Sequence, residues 1–338
     1  MATIKDIAQI AGVSYTTVSN VIHGKTSHVS EQTIRQINKI IEDLHYTPNM
    51  SARALVSNAS KVIAMINHLV PQKSGSFIED PFHTAFISSI EEVLRQNGYY
   101  FMLRTVTDND DLKRFLQNWN IDGMFLVGIT EGAFFQCLPE LRKRIVLIDS
   151  YLDNYYGMPN IGLEDFQGGY LATQYLIERG HTRIAFACPP ILHHGVVEER
   201  LNGYRKALAE FGIPFDETLL FQREFSIDAT TQLGMHIASR QDITAVFATA
   251  DIMAAGIMAG IHRAGKKIPE DISIIGFDDI SLCRLVQPNL TTIHQNAYRK
   301  GEIAAQFMIQ LLQKKTLPRT TEILPVCLTV RDSVSQKR

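Results

Sequence analysis

The sequence is poor in the features that mark secreted, membrane-spanning and metal-stabilised proteins. Its 338 residues include only four cysteines, Cys137, Cys188, Cys283 and Cys327, and no run of about 18 apolar residues. The opening letters MATIKDIAQIAG place acidic and polar residues where a signal peptide needs an apolar stretch. These absences predict a cytoplasmic protein, and the wide spacing of the cysteines favours buried free thiols over a zinc ribbon or a disulfide framework.

The chain also lacks a strong net charge. Lysine and arginine total 33, aspartate and glutamate total 35, and the formal charge is -2. The first 60 residues carry five basic and four acidic side chains, so no positive field marks them as a nucleic-acid-binding region. Binding to DNA must therefore be argued from the positions of individual side chains on helices.

What the sequence does contain, at its start, is three short helical patterns without a strand pattern. Thr3 and Asp6 have the spacing of a capping box, and Gly12 is a typical helix stop. Ser14 and Ser30 occupy the N-cap positions of a second and a third helix. The third pattern has apolar residues at helical spacing, namely Ile34, Ile37, Ile41 and Leu44. We therefore expect a small helical module.

The second helix has two chemically distinct faces. At about 100° per residue, Val18, Val21 and Ile22 fall on one side, where they can pack, and polar residues fall on the other. An asparagine such as Asn20 can form two hydrogen bonds with an adenine edge. The alternative interpretation is an amphipathic helix whose polar face is only solvated. We predict DNA contacts at Thr3, Ser14, Tyr15, Thr16, Ser19 and Asn20.

A short helix-capable stretch, NMSARALVSNAS, follows Pro48. With roughly eight helical residues it is too short to be stable alone, so we expect it to fold only on DNA. Paired across a dimer, two such helices can enter the minor groove and wedge Leu55 between base steps. The alternative is an ordinary linker that contains a leucine. We add Asn49, Arg53 and Leu55 to the predicted DNA contacts.

From residue 61 the pattern changes to strands that alternate with helices. Strand patterns occur in KVIAMI, YYFML, GMFLVG and RIVLID, and a second series contains RIAFA, AVFAT and ISIIGFDD. Helical patterns cover 82–97, 112–119, 199–211, 229–238 and 252–264. Such alternation predicts parallel sheets wrapped by helices. Two such units in tandem place a ligand cleft between them, at the carboxyl ends of their strands.

These motifs resemble the lactose/galactose repressor family of bacterial transcription regulators. The opening TIKDIAQIAGVSYTTVSNVIHG is similar to the family's helix-turn-helix, and YTPNMSARAL is similar to its hinge helix. The resemblance continues, in the family's order, through DPF, GHTRIAF, ERLNGYRKAL, DIMAAG, IPEDISIIGFDD and PNLTTIHQ. It implies an α/β fold class, with an N-terminal helix-turn-helix head and two periplasmic-binding-protein-like (Rossmann-like) subdomains.

The resemblance also implies the domain boundaries. The chain would cross between the subdomains near Glu164, Asn296 and Leu324. The implied parts are a head (1–47), a hinge helix and linker (48–60), an N-terminal subdomain (61–164 and 297–324) and a C-terminal subdomain (165–296 and 325–338).

An effector site between the subdomains follows from the same resemblance. Its residue types support it independently, because an arginine and carboxylates give the directional hydrogen bonds that sugar hydroxyls require, and an aromatic face suits a sugar ring. The sequence departs from the family pattern at Ala250, where many relatives have asparagine, and at His83, where phenylalanine is common. Carried over by position, the effector residues are Phe82, His83, Asp149, Arg200, Phe225, Asp251 and Asp278.

Taken together, these patterns predict a sequence-specific repressor that binds double-stranded operator DNA as a homodimer or tetramer. Its affinity for the operator is expected to be controlled by a small ligand, and a sugar is the first candidate. A purine-type corepressor system and a sugar-binding transport protein are the alternatives, and the helical head argues against the second.

The segment GIHRAGKK resembles a phosphate-binding loop but has Lys267 where serine or threonine is required. We expect no enzyme activity, no cofactor, no metal and no membrane partner.

Overall fold

The computed structural model describes residues 2–22, 24–46, 59–67, 80–129, 136, 138–141, 143–152 and 154–337. The chain folds as two units, residues 1–60 and residues 61–338. The predicted hinge contacts Asn49, Arg53 and Leu55 lie outside the described residues.

In its described residues the first unit contains three helices: α1 (Ile4–Ala11), α2 (Tyr15–Ile22) and α3 (Glu31–Asp43). The predicted capping box of Thr3 and Asp6 is present, and Gly12 ends α1 with a left-handed φ of 65°. Ser30 caps α3 by accepting a hydrogen bond from the Thr33 N–H. The core of the unit is small, with Ile7, Val18 and Ile37 at its centre. Of the core residues predicted on α3, only Ile37 is fully buried, and Ile34, Ile41 and Leu44 pack around it.

The second unit contains twelve strands and seven α-helices in the part that the structure describes. Along the chain these are β1 (Val62–Asn67), α4 (Pro81–Gln96), β2 (Tyr100–Thr105), α5 (Asn109–Asn118), β3 (Gly123–Val127), β4 (Arg144–Ile148), β5 (Asn160–Leu163), α6 (Asp165–Glu178), β6 (Ile184–Cys188), α7 (Val196–Glu210), β7 (Leu220–Gln222), α8 (Ile227–Ser239), β8 (Ala245–Ala248), α9 (Asp251–Arg263), β9 (Ser273–Asp278), β10 (Thr291–His294), α10 (Ala297–Leu312), β11 (Thr321–Leu324) and β12 (Cys327–Thr329).

The strands form two six-stranded sheets. The first has the order β11-β5-β4-β3-β1-β2 and the second has the order β12-β10-β9-β8-β6-β7. Every pair of neighbouring strands is parallel except β10 and β12. Strands such as GMFLV in β3 and IAFAC in β6 are buried along their whole length, because helices cover both faces of the sheets. This arrangement confirms the predicted α/β class with two parallel-sheet subdomains.

Three segments carry the chain between the sheets. Strand β5 of the first sheet leads into α6, which packs on strands of the second. Strand β10 of the second sheet leads into α10, which packs against α4, β4 and β5. Strand β11 of the first sheet then leads into β12 of the second. Side chains near these connections, and at the adjacent carboxyl ends of strands, are therefore placed to interact with both subdomains.

Two long helices, α6 and α10, were not predicted from the sequence. Glycines interrupt both patterns, and the structure explains them by close packing. A Cβ on Gly169 would lie 2.1 Å from the carbonyl oxygen of Arg200, and one on Gly301 would lie 2.0 Å from Ser89 Oγ. The short strands β5, β7, β10, β11 and β12 were also missed, since three or four residues carry little periodicity.

The cysteines differ in part from the expectation of buried thiols. Cys188 and Cys283 are buried and free, Cys327 is exposed at the edge strand β12, and Cys137 lies outside the described residues. Within the described ranges, no three histidine, cysteine or acidic side chains are grouped so that they could hold a metal ion. None of the helices described is both long and apolar enough to cross a membrane.

Candidate functional site

Helix α2 exposes two of the side chains that were predicted to contact DNA and leaves two others half-buried. Val18 and Val21 are buried against α1 and α3, whereas Tyr15 is 50% exposed. Thr16 is also exposed, and Ser19 and Asn20 are half-buried. The two faces of the helix therefore lie as the 100° periodicity predicts.

The N-terminus of α2 is capped by Ser14. Its Oγ accepts a hydrogen bond from the Thr17 N–H at 3.1 Å and lies 2.9 Å from Thr17 Oγ1. The free amides and the dipole at such a helix start favour a phosphate group. This geometry suits contact with a DNA backbone.

Thr3 is already used inside the protein. Its Oγ1 donates to Asp6 Oδ2 at 2.8 Å and accepts from the Asp6 N–H at 3.3 Å. Hydrogen bonds from the Thr3 N–H and hydroxyl hold the pKa of Asp6 below its usual value. The structure thus gives Thr3 a capping role, and its contact with DNA stays a prediction, as do those of Asn49, Arg53 and Leu55.

In the core unit, Arg200 of α7 is buried at the centre of a polar cluster. Its Nε and Nη2 each lie 2.8 Å from Asp165 Oδ1, and Nη1 donates to the Thr249 carbonyl at 2.5 Å. The guanidinium also lies 3.5 Å from the centre of the Phe277 ring. Tyr151, from the connection after β4, donates its hydroxyl to Asp165 Oδ2. This cluster therefore joins side chains associated with both sheets.

A second polar cluster contains the predicted residues Asp149 and Asp278. Lys300 Nζ lies 2.7 Å and 2.9 Å from the two carboxylate oxygens of Asp149, and it donates to Gln295 Oε1 at 3.0 Å. The Gln295 amide in turn donates to Asp278 Oδ1 at 2.6 Å. Asp149 follows β4 of the first sheet and Asp278 ends β9 of the second. A continuous chain of hydrogen bonds therefore crosses from one subdomain to the other.

Three aspartates at these strand ends have unusual backbone conformations, as do His45, Lys61, Tyr156, His194 and Lys314 elsewhere among the described residues. Asp149 has φ 53°, Asp278 has φ 115° and Asp279 has φ 58°, all in the left-handed region that non-glycine residues rarely adopt. Such conformations cost free energy and persist where the surrounding structure holds them. Strained carboxylates at the ends of two central strands are typical of a binding site.

The electrostatics of the two clusters are dominated by burial. Burial raises the pKa of Asp278 well above its usual value, although the nearby Arg200 opposes the shift. Burial likewise raises the pKa of Asp165, against the pull of Arg200. Burial disfavours the charged form of Arg200, but the charges of Asp165 and Asp278 outweigh it, so the Arg200 pKa is raised. The charges of Arg200, Asp165 and Asp278 therefore stabilise one another inside the protein.

Asp251, at the start of α9, is fully buried. Its Oδ1 accepts from Thr292 Oγ1 at 2.6 Å, and its Oδ2 accepts from the Ile280 N–H at 3.0 Å. Burial raises the pKa of Asp251 to about 6. One carboxylate oxygen thus holds the connection that follows Asp278 and the other holds β10, so Asp251 has a positioning role in the structure.

The predicted aromatic residues are not all brought together. Phe82 lies near the second cluster, with the centre of its ring 5.2 Å from Lys300 Nζ. His83 packs on Phe82 at 5.3 Å between ring centres, and its Nδ1 lies 3.3 Å from Asp80 Oδ2. Phe225, before α8, is 37% exposed. Among the described residues, no hydrogen bond or ring contact joins Phe225 to either cluster.

Sequence reasoning missed four members of these clusters: Tyr151, Asp165, Gln295 and Lys300. For Lys300 a signal was present, because it is the one charged residue on a helix face with buried Ile303, Ala304 and Phe307. A single lysine on an otherwise apolar helix face is expected to be buried, and a buried lysine is rarely found without an acidic or hydrogen-bonding partner. Asp165 and Tyr151 gave no such signal, since their partners are remote in sequence.

A cavity of about 320 Å³ lies elsewhere in the core unit, at the opposite end of β6 from the clusters. Thr182, Tyr204, Ile213 and Pro214 are among its lining residues. The charged group there, Arg183, is already held by Asp216 and Asp242 at 2.6 Å and 2.7 Å. This cavity therefore offers a ligand far less polar chemistry than the strand ends do, and we assign it no function.

A helical head with an exposed polar helix, joined to a two-sheet core with a strained polar site, defines a ligand-responsive DNA-binding regulator. Comparison with known proteins agrees. Residues 3–49 match the family described as bacterial regulatory proteins, lacI family, and residues 173–334 match a periplasmic binding protein-like domain. The chain is 35% identical over 332 residues to the HTH-type transcriptional repressor PurR of Vibrio atlanticus, with 93% of each chain covered. The chain belongs to the lacI family.

Solved structures show the same fold. A transcriptional regulator CelR–cellobiose complex is 28% identical, with a TM-score of 0.72, and the match covers 98% of this chain and 100% of that one. A Lac repressor dimer bound to operator is 24% identical, with a TM-score of 0.82 and 99% of each chain covered. At that identity the second likeness supports the fold alone.

Proposed function

We propose that this chain is a sequence-specific transcription repressor that binds operator DNA as a homodimer and changes its affinity when a sugar binds between the two core subdomains. One observation carries the proposal. Polar side chains from the strand ends of both sheets form a connected network, in which Asp149 is linked to Asp278 through Lys300 and Gln295. A ligand that bonds to this network acts on both subdomains at once.

In this proposal the exposed face of α2 lies in the major groove. Tyr15, Thr16 and Asn20 contact base edges, and Ser14 and Ser19 contact the backbone. The hinge helix of residues 48–60, with Asn49, Arg53 and Leu55, folds in the minor groove. The protein acts in the cytoplasm, where operator DNA is accessible, and its role requires no enzyme activity.

The ligand site is proposed to consist of Phe82, His83, Asp149, Arg200, Phe225 and Asp278, with Asp251 positioning the loop behind them. The subdomain crossings near Glu164, Asn296 and Leu324 act as the hinge. The membership of strands in the two sheets supports these boundaries. Ligand binding changes the angle between the subdomains and thereby the spacing of the two hinge helices of the dimer.

A second candidate is a purine-type corepressor system, in which the ligand strengthens DNA binding. The similarity to a repressor named PurR favours it, and the partly exposed ring of Phe225 offers a face on which a base can stack. The sugar proposal is favoured by the polar chemistry of the strand ends, where carboxylates and an arginine match ligand hydroxyls.

A thermal-shift screen distinguishes the candidates. Neutral sugars, sugar phosphates and nucleobases are added separately to the full-length protein, since a ligand that binds only the folded state raises the melting temperature. Operator binding is then measured with and without each ligand that raises the melting temperature. A stabilising sugar that weakens operator binding supports the first proposal, and a stabilising purine that strengthens it supports the second. If no compound in the panel stabilises the protein, the ligand-binding proposal is rejected for these classes.

A further inference from the structure

Lys300 is a buried cation next to the proposed effector site, and no residue carried over from the family corresponds to it. Its side chain is 1% exposed, although lysine side chains are rarely buried unless paired. It belongs to α10, whose other inward residues, such as Ile303 and Phe307, are apolar. The inference drawn from it rests on the proposed function of the cleft.

The surroundings of Lys300 satisfy an ammonium group completely. Two donors are used by the oxygens of Asp149, at 2.7 Å and 2.9 Å, and the third by Gln295 Oε1, at 3.0 Å. An ammonium has three N–H donors and no acceptor, so none is left over. The ring of Phe82 adds a π face, with its centre 5.2 Å from Nζ. Carboxylate, amide carbonyl and aromatic face together form a cation site, and Lys300 fills it.

Stability alone does not account for this arrangement. A buried ion pair gains little over well-packed apolar side chains of similar volume, because both charges must leave water. A leucine or methionine at position 300 would continue the apolar face of α10. The charged pair is instead connected through Gln295 to Asp278, one of the carboxylates proposed to bind the effector.

We propose that Lys300 is a specificity-determining residue of the effector cleft: its ammonium occupies the cation site of Asp149, Gln295 and Phe82, and so excludes ligands that carry an ammonium group at that end of the cleft. Wild-type protein then prefers a neutral ligand there. Removal of the Lys300 ammonium leaves the Asp149 carboxylate buried without a cation, and the site becomes selective for amines.

The test compares wild type with Lys300→Met and with the charge-neutral control Asp149→Asn/Lys300→Met. Melting temperature is measured in methylammonium chloride and in tetramethylammonium chloride at equal ionic strength, since only methylammonium is small and can donate hydrogen bonds. We expect methylammonium to raise the melting temperature of Lys300→Met alone. We also expect glucosamine, galactosamine or mannosamine to bind Lys300→Met about tenfold more tightly than wild type, as a charge-assisted hydrogen bond would give.

Each outcome decides between the alternatives. If methylammonium and tetramethylammonium act equally on Lys300→Met, the cation site is rejected. If methylammonium stabilises the variant but none of the three amino sugars gains affinity, Lys300 serves only to neutralise Asp149 and the specificity role is rejected. If Lys300→Met does not fold in buffer, the refolding yields of Lys300→Met and Lys300→Ala are compared in the two salts. A higher yield in methylammonium than in tetramethylammonium supports the cation site, and equal yields reject it. A failure of every neutral sugar to bind wild type would reject the proposed function, whereas the methylammonium result would still decide on the cation site.

Discussion

The head and the core place their functional polar groups in opposite ways. On α2 the polar side chains face outward, and the capping bond of Ser14 reaches only to Thr17. In the core the polar groups are buried, and the ion pair of Asp149 and Lys300 joins residues 151 positions apart. In the head, function is therefore separable from stability. In the core, the groups proposed to bind ligand also hold the fold together, so substitutions there should affect both.

The largest expected effect comes from breaking the buried ion pair of Arg200. Arg200→Ala leaves Asp165 buried without its cation, and such a loss typically costs about 3–5 kcal/mol of stability. The protein has one tryptophan, Trp119 in the core unit, so its fluorescence reports unfolding of that unit in urea. The matched control is Arg183→Ala, whose two aspartate partners are partly solvent-exposed. We expect the control to lose far less, because solvent screens exposed pairs; equal losses would contradict the assigned difference between the two sites.

A smaller effect, with a defined pH dependence, is expected at Asp251. Burial raises its pKa from 3.8 to about 6, so the folded protein favours the neutral acid. The stabilisation from this group is complete below the unfolded pKa and is lost as pH rises through the folded value, by up to about 3 kcal/mol. Asp251→Asn cannot ionise, so wild type should lose stability relative to this variant between about pH 4 and pH 7.

Urea unfolding across this pH range measures the difference between wild type and Asp251→Asn. The exposed substitution Asn38→Ala provides the control, because it changes no ionisable group and its curve should run parallel to that of wild type. If Asp251→Asn also runs parallel to wild type, Asp251 is ionised throughout and its positioning role does not depend on a raised pKa.

On the head, Asn20→Ala should change recognition without changing stability. We expect a loss of about 1–3 kcal/mol in specific operator binding and a relaxed base preference at one symmetric pair of positions. Binding-site selection with wild type and variant measures this preference. Asn38→Ala, an exposed asparagine on α3, is the control and should select the wild-type sequence. An unchanged selection by Asn20→Ala would remove Asn20 from the recognition face.

The smallest effect on the protein itself is expected from Leu55→Ala, which tests the hinge segment predicted from sequence. Loss of the wedge should reduce DNA bending and specific affinity together. Energy transfer between dyes at the operator ends measures bending at saturating protein. Ligand affinity measured without DNA should stay unchanged. Equal bending by wild type and variant would make the segment a linker only.

The head depends on contacts between residues close in sequence and the core on contacts between distant ones, and this difference determined what could be predicted from the sequence. Caps and faces depend on residues three or four positions apart, so Thr3, Gly12 and the faces of α2 were predicted correctly. The parallel sheets were predicted from alternating patterns. The partners of Arg200 and Asp149 were not, because Asp165 and Lys300 meet them only through folding. Helices α6 and α10 were not predicted either, because glycines such as Gly169 and Gly301 interrupt their sequence patterns. The close helix packing that these glycines allow is visible only in the folded structure.

In the proposed function, a ligand bound at the strand ends of the core controls operator binding by the head. The most direct measurement is operator affinity with and without the ligand found in the thermal-shift screen, for wild type and for Asp278→Asn. We expect the ligand to change wild-type operator affinity by about 5- to 150-fold, the range of typical allosteric coupling. Asp278→Asn should bind operator within a few-fold of wild type but lose this response. If the variant responds to the same ligand concentration as wild type, the effector site lies elsewhere and the account is wrong.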